Sequence, residues 1–306
     1  MKIKSMPVLL TIIFLLSSTV LQAWGQGPQT HPAKYEIGVY LLNVGKVDLQ
    51  TGSYDLDFYM WIKSDDADFT KSKPAFEFMN GRVATETITV EPHYYEIRVK
   101  GTFLKNMNFQ KYPFEQLSLT IEVEGLDDIN YVVFVPDVDT SGIDELVNIP
   151  GWRLVSNDSQ IVEHHYPDGK SYSRYVFSMT IERHFLSSFL KTIFPVIIIT
   201  TIAMLAFWMS PTNFAPRIGL GASTLLAAVA AHLNAANQLP PIGYLTLFDK
   251  IMIIAYALFL NNLLSMVIQM RFIDHDKKDE AVKINARMRR LMPAIIVIIF
   301  FSLFLI

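Results

Sequence analysis

From Lys34 to Arg183 the chain runs in short stretches where apolar and polar residues alternate, cut by Gly, Pro, Asn and Asp. A period of two with turn residues between runs predicts strands, and many such runs in succession predict an all-β, immunoglobulin-like sandwich. Leu56, Phe58, Met60 and Ile62 alternate with Asp57, Tyr59, Trp61 and Lys63, so the first set faces a core and the second faces outward. Two aromatics on a polar face make this strand unusual. Further strands are expected over 94–103, 117–123, 131–135, 152–165 and 172–183, and the acidic, turn-rich stretch 137–150 is expected to be a long loop.

After Arg183 the pattern changes to four apolar segments, at about 189–209, 218–239, 247–270 and 291–306. A membrane-spanning helix needs about 20 apolar residues, and the last segment reaches that length only if it begins near Arg287. Four helices after an exported domain put the links following the first and third in the cytoplasm. Residues 271–290 hold seven Lys or Arg and the link 238–244 holds none, in accord with the positive-inside rule. Lys2 and Lys4, then an apolar run over 8–16 and small residues at Ala23 and Gly25, read as a secretory signal peptide over 1–25. The expected organisation is therefore an exported sandwich over 26–185 and a transmembrane domain over 186–306, with a short cytoplasmic link at about 271–287.

Composition sharpens this picture. Half of the 306 residues are hydrophobic (51%) and only 18% are charged, too apolar for one soluble domain. Residues 26–185 carry 24 acidic and 14 basic side chains (−10), whereas residues 186–306 carry 5 and 10 (+5). An acidic exported half repels phosphate, which argues against nucleic acid as a partner. There is no cysteine, so the sandwich must hold without disulfides. Adjacent His164 and His165 point to opposite faces of a strand, and no metal site or cofactor is expected. No nucleophile, base and acid fall together, so the chain does not read as an enzyme.

The second apolar segment carries the chemistry. It is hydrophobic enough to span, yet it contains Ser223, Thr224, His232, Asn234 and Asn237. Steps of three and four collect Gly219, Ser223, Leu226, Ala230, Leu233 or Asn234, and Asn237 on one face. Polar groups in hydrocarbon must meet a partner or water, so this stripe lines either a tight helix interface or a wet pore. His232 falls off it and is expected to pack against neighbouring helices.

Several motifs fall in a telling order: Lys111-Tyr112-Pro113-Phe114-Glu115, then Arg183 with Pro195 twelve residues on, then Pro216-Arg217-Ile218-Gly219-Leu220-Gly221, then Leu239-Pro240-Pro241-Ile242-Gly243-Tyr244. Together they resemble a bacterial pentameric ligand-gated ion channel, a prokaryotic relative of the Cys-loop receptors. The first motif is similar to the core of the Cys-loop, with both cysteine positions, near Lys105 and Leu119, filled by other residues. The resemblance implies a homopentamer, multi-pass in the bacterial inner membrane, with its N-terminal domain on the periplasmic side. It also implies lipid and permeant inorganic ions as partners, and gating by a small external ligand or protons.

By the same resemblance the stripe from Gly219 to Asn237 faces the pore and Leu226 forms a hydrophobic ring. Ala215, Pro216 and Arg217 stand at the cytoplasmic mouth. No acidic residue occurs between Ser210 and Phe248, which leans toward anion or weakly selective conduction, while the acidic exported half would favour cations. The ligand site implied between subunits uses Tyr166 and Tyr172 of one loop, Glu77, Phe78 and Met79 of another, and Asp127 or Asp128 near 124–128, facing Tyr59 and Trp61. Coupling between the halves is implied through Tyr112, Pro113, Phe114 and Glu115, the turn over 49–53, Arg183, and Pro240, Pro241 and Tyr244. Leaving the sandwich where lipid begins, Arg183 requires a carboxylate, for which Glu115 and Asp48 are the candidates.

Overall fold

The computed structural model describes residues 31–304, so the expected signal segment 1–25 lies outside the described residues. Alternating residues build ten strands in two sheets. One sheet has the order β4 (Gly81–Glu91), β5 (Tyr94–Leu104), β2 (Ser53–Lys63), β1 (Ala33–Asp48) and β7 (Val132–Pro136), with the two-residue β8 (Gly142–Ile143) also on β1. The other has the order β3 (Phe76–Phe78), β6 (Gln116–Asp128), β10 (Ser171–Arg183) and β9 (Trp152–His165). Neighbours are antiparallel except where β7 and β8 join β1 in parallel.

The inward residues close the sandwich. Leu56, Phe58, Met60 and Ile62 of β2 are buried, and Phe58 meets Phe78 of the facing sheet edge-on, ring centres 6.0 Å apart. A polar clasp crosses the same core: the Tyr54 hydroxyl donates to the Thr120 carbonyl (2.8 Å) and accepts from the Thr120 amide (3.0 Å). Burying a phenol is tolerable because both of its hydrogen-bonding roles are filled.

Trp61 corrects the expectation of an exposed aromatic. The pleat turns it outward as alternation requires, yet it is buried, lying across Gly38 of β1, its cross-strand partner. A Cβ on Gly38 would come within 2.4 Å of the indole, so only glycine admits this arrangement. The Trp61 indole N–H donates to Asp137 Oδ2 (2.9 Å) in the loop that covers it.

Four helices follow. α1 (Phe185–Trp208) includes a π-turn at Phe189–Ile193 just ahead of Pro195, whose missing N–H disrupts regular α bonding there. α2 spans Phe214–Ala236, α3 Leu247–Asp274 and α4 Lys278–Phe304. A capping box starts α3: the Asp249 amide donates to Thr246 Oγ1 (3.1 Å) and the Thr246 amide to Asp249 Oδ2 (2.8 Å). The link expected at about 271–287 shrinks to residues 275–277, because its charged sequence continues both helices. Among the described residues, α1, α2 and α3 are long and apolar enough to cross a membrane.

Candidate functional site

Three places hold the residues singled out by sequence. The first is the β9–β10 hairpin, where Tyr166 and Tyr172 meet edge-on with ring centres 5.5 Å apart. Beneath them lies Glu124, buried; the strand expected over 117–123 continues through it as part of β6. Its carboxylate accepts from the Tyr166 hydroxyl (2.8 Å) and from Arg174 Nε (2.9 Å). The Tyr166 phenol is thereby held above its ordinary pKa, by this hydrogen bond first and burial second. His164 Nδ1 stands between Glu124 Oε2 (3.0 Å) and an Arg174 nitrogen (2.9 Å), so it can donate to the first or accept from the second but not both.

The other expected ligand residues disperse around this cluster. Glu77 is exposed and opposite Glu124 in register, Phe78 turns into the core, and the Met79 amide donates to the Glu122 carbonyl (2.9 Å). Asp127 is exposed, but Asp128 is occupied in accepting from the Asn130 and Ser171 amides (3.0 and 3.4 Å). Tyr59 packs under the Arg98 guanidinium, 5.5 Å from the ring centre. Glu124, His164 and Arg174 were missed. Their signal lay in register, since Arg174 is the cross-strand partner of Glu124 and Tyr172 that of His164.

The second place is the junction between sandwich and helices, about 40 Å along β10 from that hairpin at about 3.3 Å per residue. Arg183 pairs with Glu115, which is 1% exposed, and its guanidinium lies 4.7 Å from the Trp152 ring centre. Of the two candidate partners Glu115 is the one used. Asp48 instead binds Lys46 (2.6 Å) and accepts from the Gln50 amide (3.0 Å), holding the turn over 49–52. That turn delivers the Gln50 side chain to the Asn237 carbonyl at the end of α2, beside Pro240 and Pro241. Tyr112 and Pro113 are buried, and the Tyr112 carbonyl accepts from the Phe248 amide (3.1 Å) at the start of α3. Phe114 stacks on Phe185 of α1 with centres 4.8 Å apart, and the Tyr244 hydroxyl accepts from the Phe109 amide (2.9 Å). Each expected coupling residue except Asp48 thus touches the other half directly or sits beside one that does.

The third place is α2. Arg217, Gly221, Thr224, Ala228 and Ala235 are its buried face. At about 100° per residue, Gly219, Ser223, Leu226, Ala230, Leu233, Asn234 and Asn237 lie on the opposite side, and all are exposed. The buried face approaches α3 so closely at Gly221 that a Cβ there would meet Leu263 at 2.8 Å. His232 is held off the stripe by Tyr256 (3.0 Å) and Asp249 (2.9 Å) of α3.

No family model matches the chain. Among curated proteins it is 28% identical over 159 residues to a gamma-aminobutyric acid receptor subunit beta-4 of Gallus gallus, covering 51% of this chain and 32% of that one. It is 24% identical over 232 residues to a proton-gated ion channel of Gloeobacter violaceus, covering 72% of this chain and 64% of that one. A gamma-aminobutyric acid receptor subunit theta of Mus musculus is 24% identical over 219 residues, 69% of this chain and 33% of that one. The homologues of the chain are ligand-gated ion channels of the Cys-loop family. It spans between about a third and two thirds of the length of these relatives.

Within this family frame Arg217 is the largest departure from expectation. Ala215 and Pro216 are exposed, but the Arg217 side chain is fully buried. It donates to the Ala206 carbonyl (2.9 Å), Gln269 Oε1 (3.0 Å) and Asn285 Oδ1 (2.9 Å), joining all four helices through neutral acceptors. Helix phase explains the burial: Arg217 stands four residues before Gly221 and seven before Thr224, on the packed face.

Proposed function

We propose that five copies of the chain surround the exposed face of α2 and form an ion channel in the bacterial inner membrane, with the sandwich outside the cytoplasm. The observation that carries this reading is the division of α2 into two faces. Leu226 and Leu233 are 71% and 59% exposed in the single chain, at the middle of a stripe that is small or polar at its ends. A soluble surface gains nothing from such a stripe, whereas a ring of leucines in a narrow pore blocks ions by dewetting. A small ligand meeting Tyr166 and Tyr172, or protons, would shift the closed and open populations through β10 and the Arg183–Glu115 pair.

Conduction is read as anion or weakly selective. α2 presents no carboxylate anywhere, and five buried Arg217 side chains without acidic partners would set a positive potential around the cytoplasmic mouth. A cation-selective reading draws on the −10 charge of the exported half.

Current across a planar bilayer under a salt gradient, with amines, amino acids and pH steps as stimuli, tests the proposal. In the Ser223→Cys variant a charged, water-soluble thiol reagent should block that current only after activation. A current that persists unchanged while the same cysteine is fully modified would remove α2 from the pore, and a folded pentamer in which it never reacts would favour a non-conducting membrane sensor.

A further inference from the structure

The first amides of a helix have no partner within it, and α3 fills its own from two sources. The Leu247 amide donates to the Gln110 carbonyl (2.8 Å) and the Phe248 amide to the Tyr112 carbonyl (3.1 Å), both in the sandwich half. The Thr246 and Asp249 amides are filled by the capping box. Phe248 is buried and edge-on to Tyr112, with ring centres 6.3 Å apart. The start of α3 is therefore fastened to the sandwich and moves with it.

From that start one carboxylate reaches α2. Asp249 holds the cap with Oδ2, which accepts from the Thr246 amide and hydroxyl (both 2.8 Å), and turns Oδ1 to His232 Nε2 (2.9 Å). The other nitrogen of the same ring, Nδ1, meets the Tyr256 hydroxyl (3.0 Å), two turns farther along the same face of α3. Phe248 packs edge-on against the imidazole, with centres 5.9 Å apart. A phenol can donate to a bare Nδ1 or accept from a protonated one, so the bridge keeps both contacts in either charge state of the ring.

His232 grips α2 one turn before its last residue, Ala236, and immediately before the exposed Leu233 of the stripe. Gln50 and the Tyr112 hydroxyl instead meet Asn237 and Gln238, beyond that last residue. A contact past the end of a helix yields when the last turn frays, whereas a ring held at both nitrogens inside the helix carries the backbone with it. We propose that His232 is the positioning residue that passes movement of the sandwich, through the start of α3, into the stripe-bearing side of α2. Its part in gating rests on the channel reading, but the bridge itself is measured without any current, so the two can fail separately.

The test compares two variants of the full chain. His232→Phe keeps a ring and loses both hydrogen bonds, whereas the amide of His232→Gln can donate to Asp249 and accept from Tyr256. A hydrogen bond to a charged group contributes on the order of 10- to 100-fold to an equilibrium. Hydrogen–deuterium exchange over 229–237 in detergent should therefore accelerate about tenfold or more in His232→Phe, with the sandwich unchanged, and return toward the unsubstituted rate in His232→Gln. In planar bilayers, with the same amines, amino acids and pH steps, His232→Phe should need on the order of tenfold more stimulus for half-maximal current, and His232→Gln close to the unsubstituted amount. Unchanged exchange in His232→Phe would overturn the proposal, because the bridge would then hold nothing. Faster exchange with an unchanged current response would also overturn it, leaving His232 as a packing residue. Silence of the unsubstituted protein would remove the channel reading and the gating role together, while exchange alone would still decide whether His232 ties α2 to α3.

Discussion

Two arginines mark the two ends of the membrane half, and they are held in opposite ways. Arg183, where β10 meets α1, has a carboxylate partner in Glu115 and an aromatic bed in Trp152. Arg217, near the start of α2, donates to a carbonyl and two side-chain amide oxygens and lies 6.0 Å from the Phe207 ring centre, with no carboxylate partner among the described residues. Pairing cancels the charge at the junction, so its energy depends on keeping both partners in place. At the other end the hydrogen bonds are filled while the charge stays uncancelled and can act at a distance. One guanidinium serves as a mechanical link and the other, on the proposed reading, as a source of field.

The widest gap between the two should open on removing Glu115. Glu115→Ala leaves a partly buried guanidinium with no countercharge, and the expected cost is up to about 3 kcal/mol, measured as a loss of thermal stability. Replacing both partners together, Arg183→Met with Glu115→Leu, should restore most of that stability while leaving gating impaired. If the double variant is as unstable as the single one, the penalty belongs to lost packing against Trp152 rather than to the orphaned charge.

Arg217→Gln should separate structure from field. Loss of three charge-assisted hydrogen bonds that the shorter amide replaces only in part predicts a cost of about 1–3 kcal/mol. On the proposed reading the reversal potential under a salt gradient should also move away from the chloride value. Lower stability with an unchanged reversal potential would reduce Arg217 to a staple between helices.

What the sequence disclosed follows from which forces are local. Alternation in β2 and the apolar runs of α1 to α3 are local patterns, and they located the sandwich, its inward residues and three spans. The burial of Arg217 was not expected, although the same steps of three and four that collect Gly219 and Ser223 exclude it from their face and so carried the signal. Glu124 was not legible: five residues rich in acid and glycine look like a turn, and only Arg174, His164 and Tyr166, distant in sequence, supply the partners that let β6 continue. Trp61 was half legible, because the pleat fixes its side while a loop 76 residues away decides its burial. The charged stretch 271–287 is helical except at 275–277, in keeping with Lys and Glu being good helix formers.

Asp137 gives the mirror image of the two arginines and the smallest expected effect. Burial alone would raise its carboxyl, but hydrogen bonds from Lys63 (2.7 Å), Thr140 and the Trp61 indole pull it down to about 2. A folded-state value below the ordinary 3.8 means that the charged form stabilises the fold above that pH, and that this contribution fades as pH falls toward about 2. The shift corresponds to about 2 kcal/mol at neutral pH. Asp137→Asn should therefore be less stable by up to that amount at pH 7, with the difference from the unsubstituted chain closing between about pH 4 and pH 2. Denaturant unfolding at a series of pH values measures this directly. A difference that stays constant down to pH 2 would mean that the neutral hydrogen bonds, and not the Lys63 countercharge, hold the loop over Trp61.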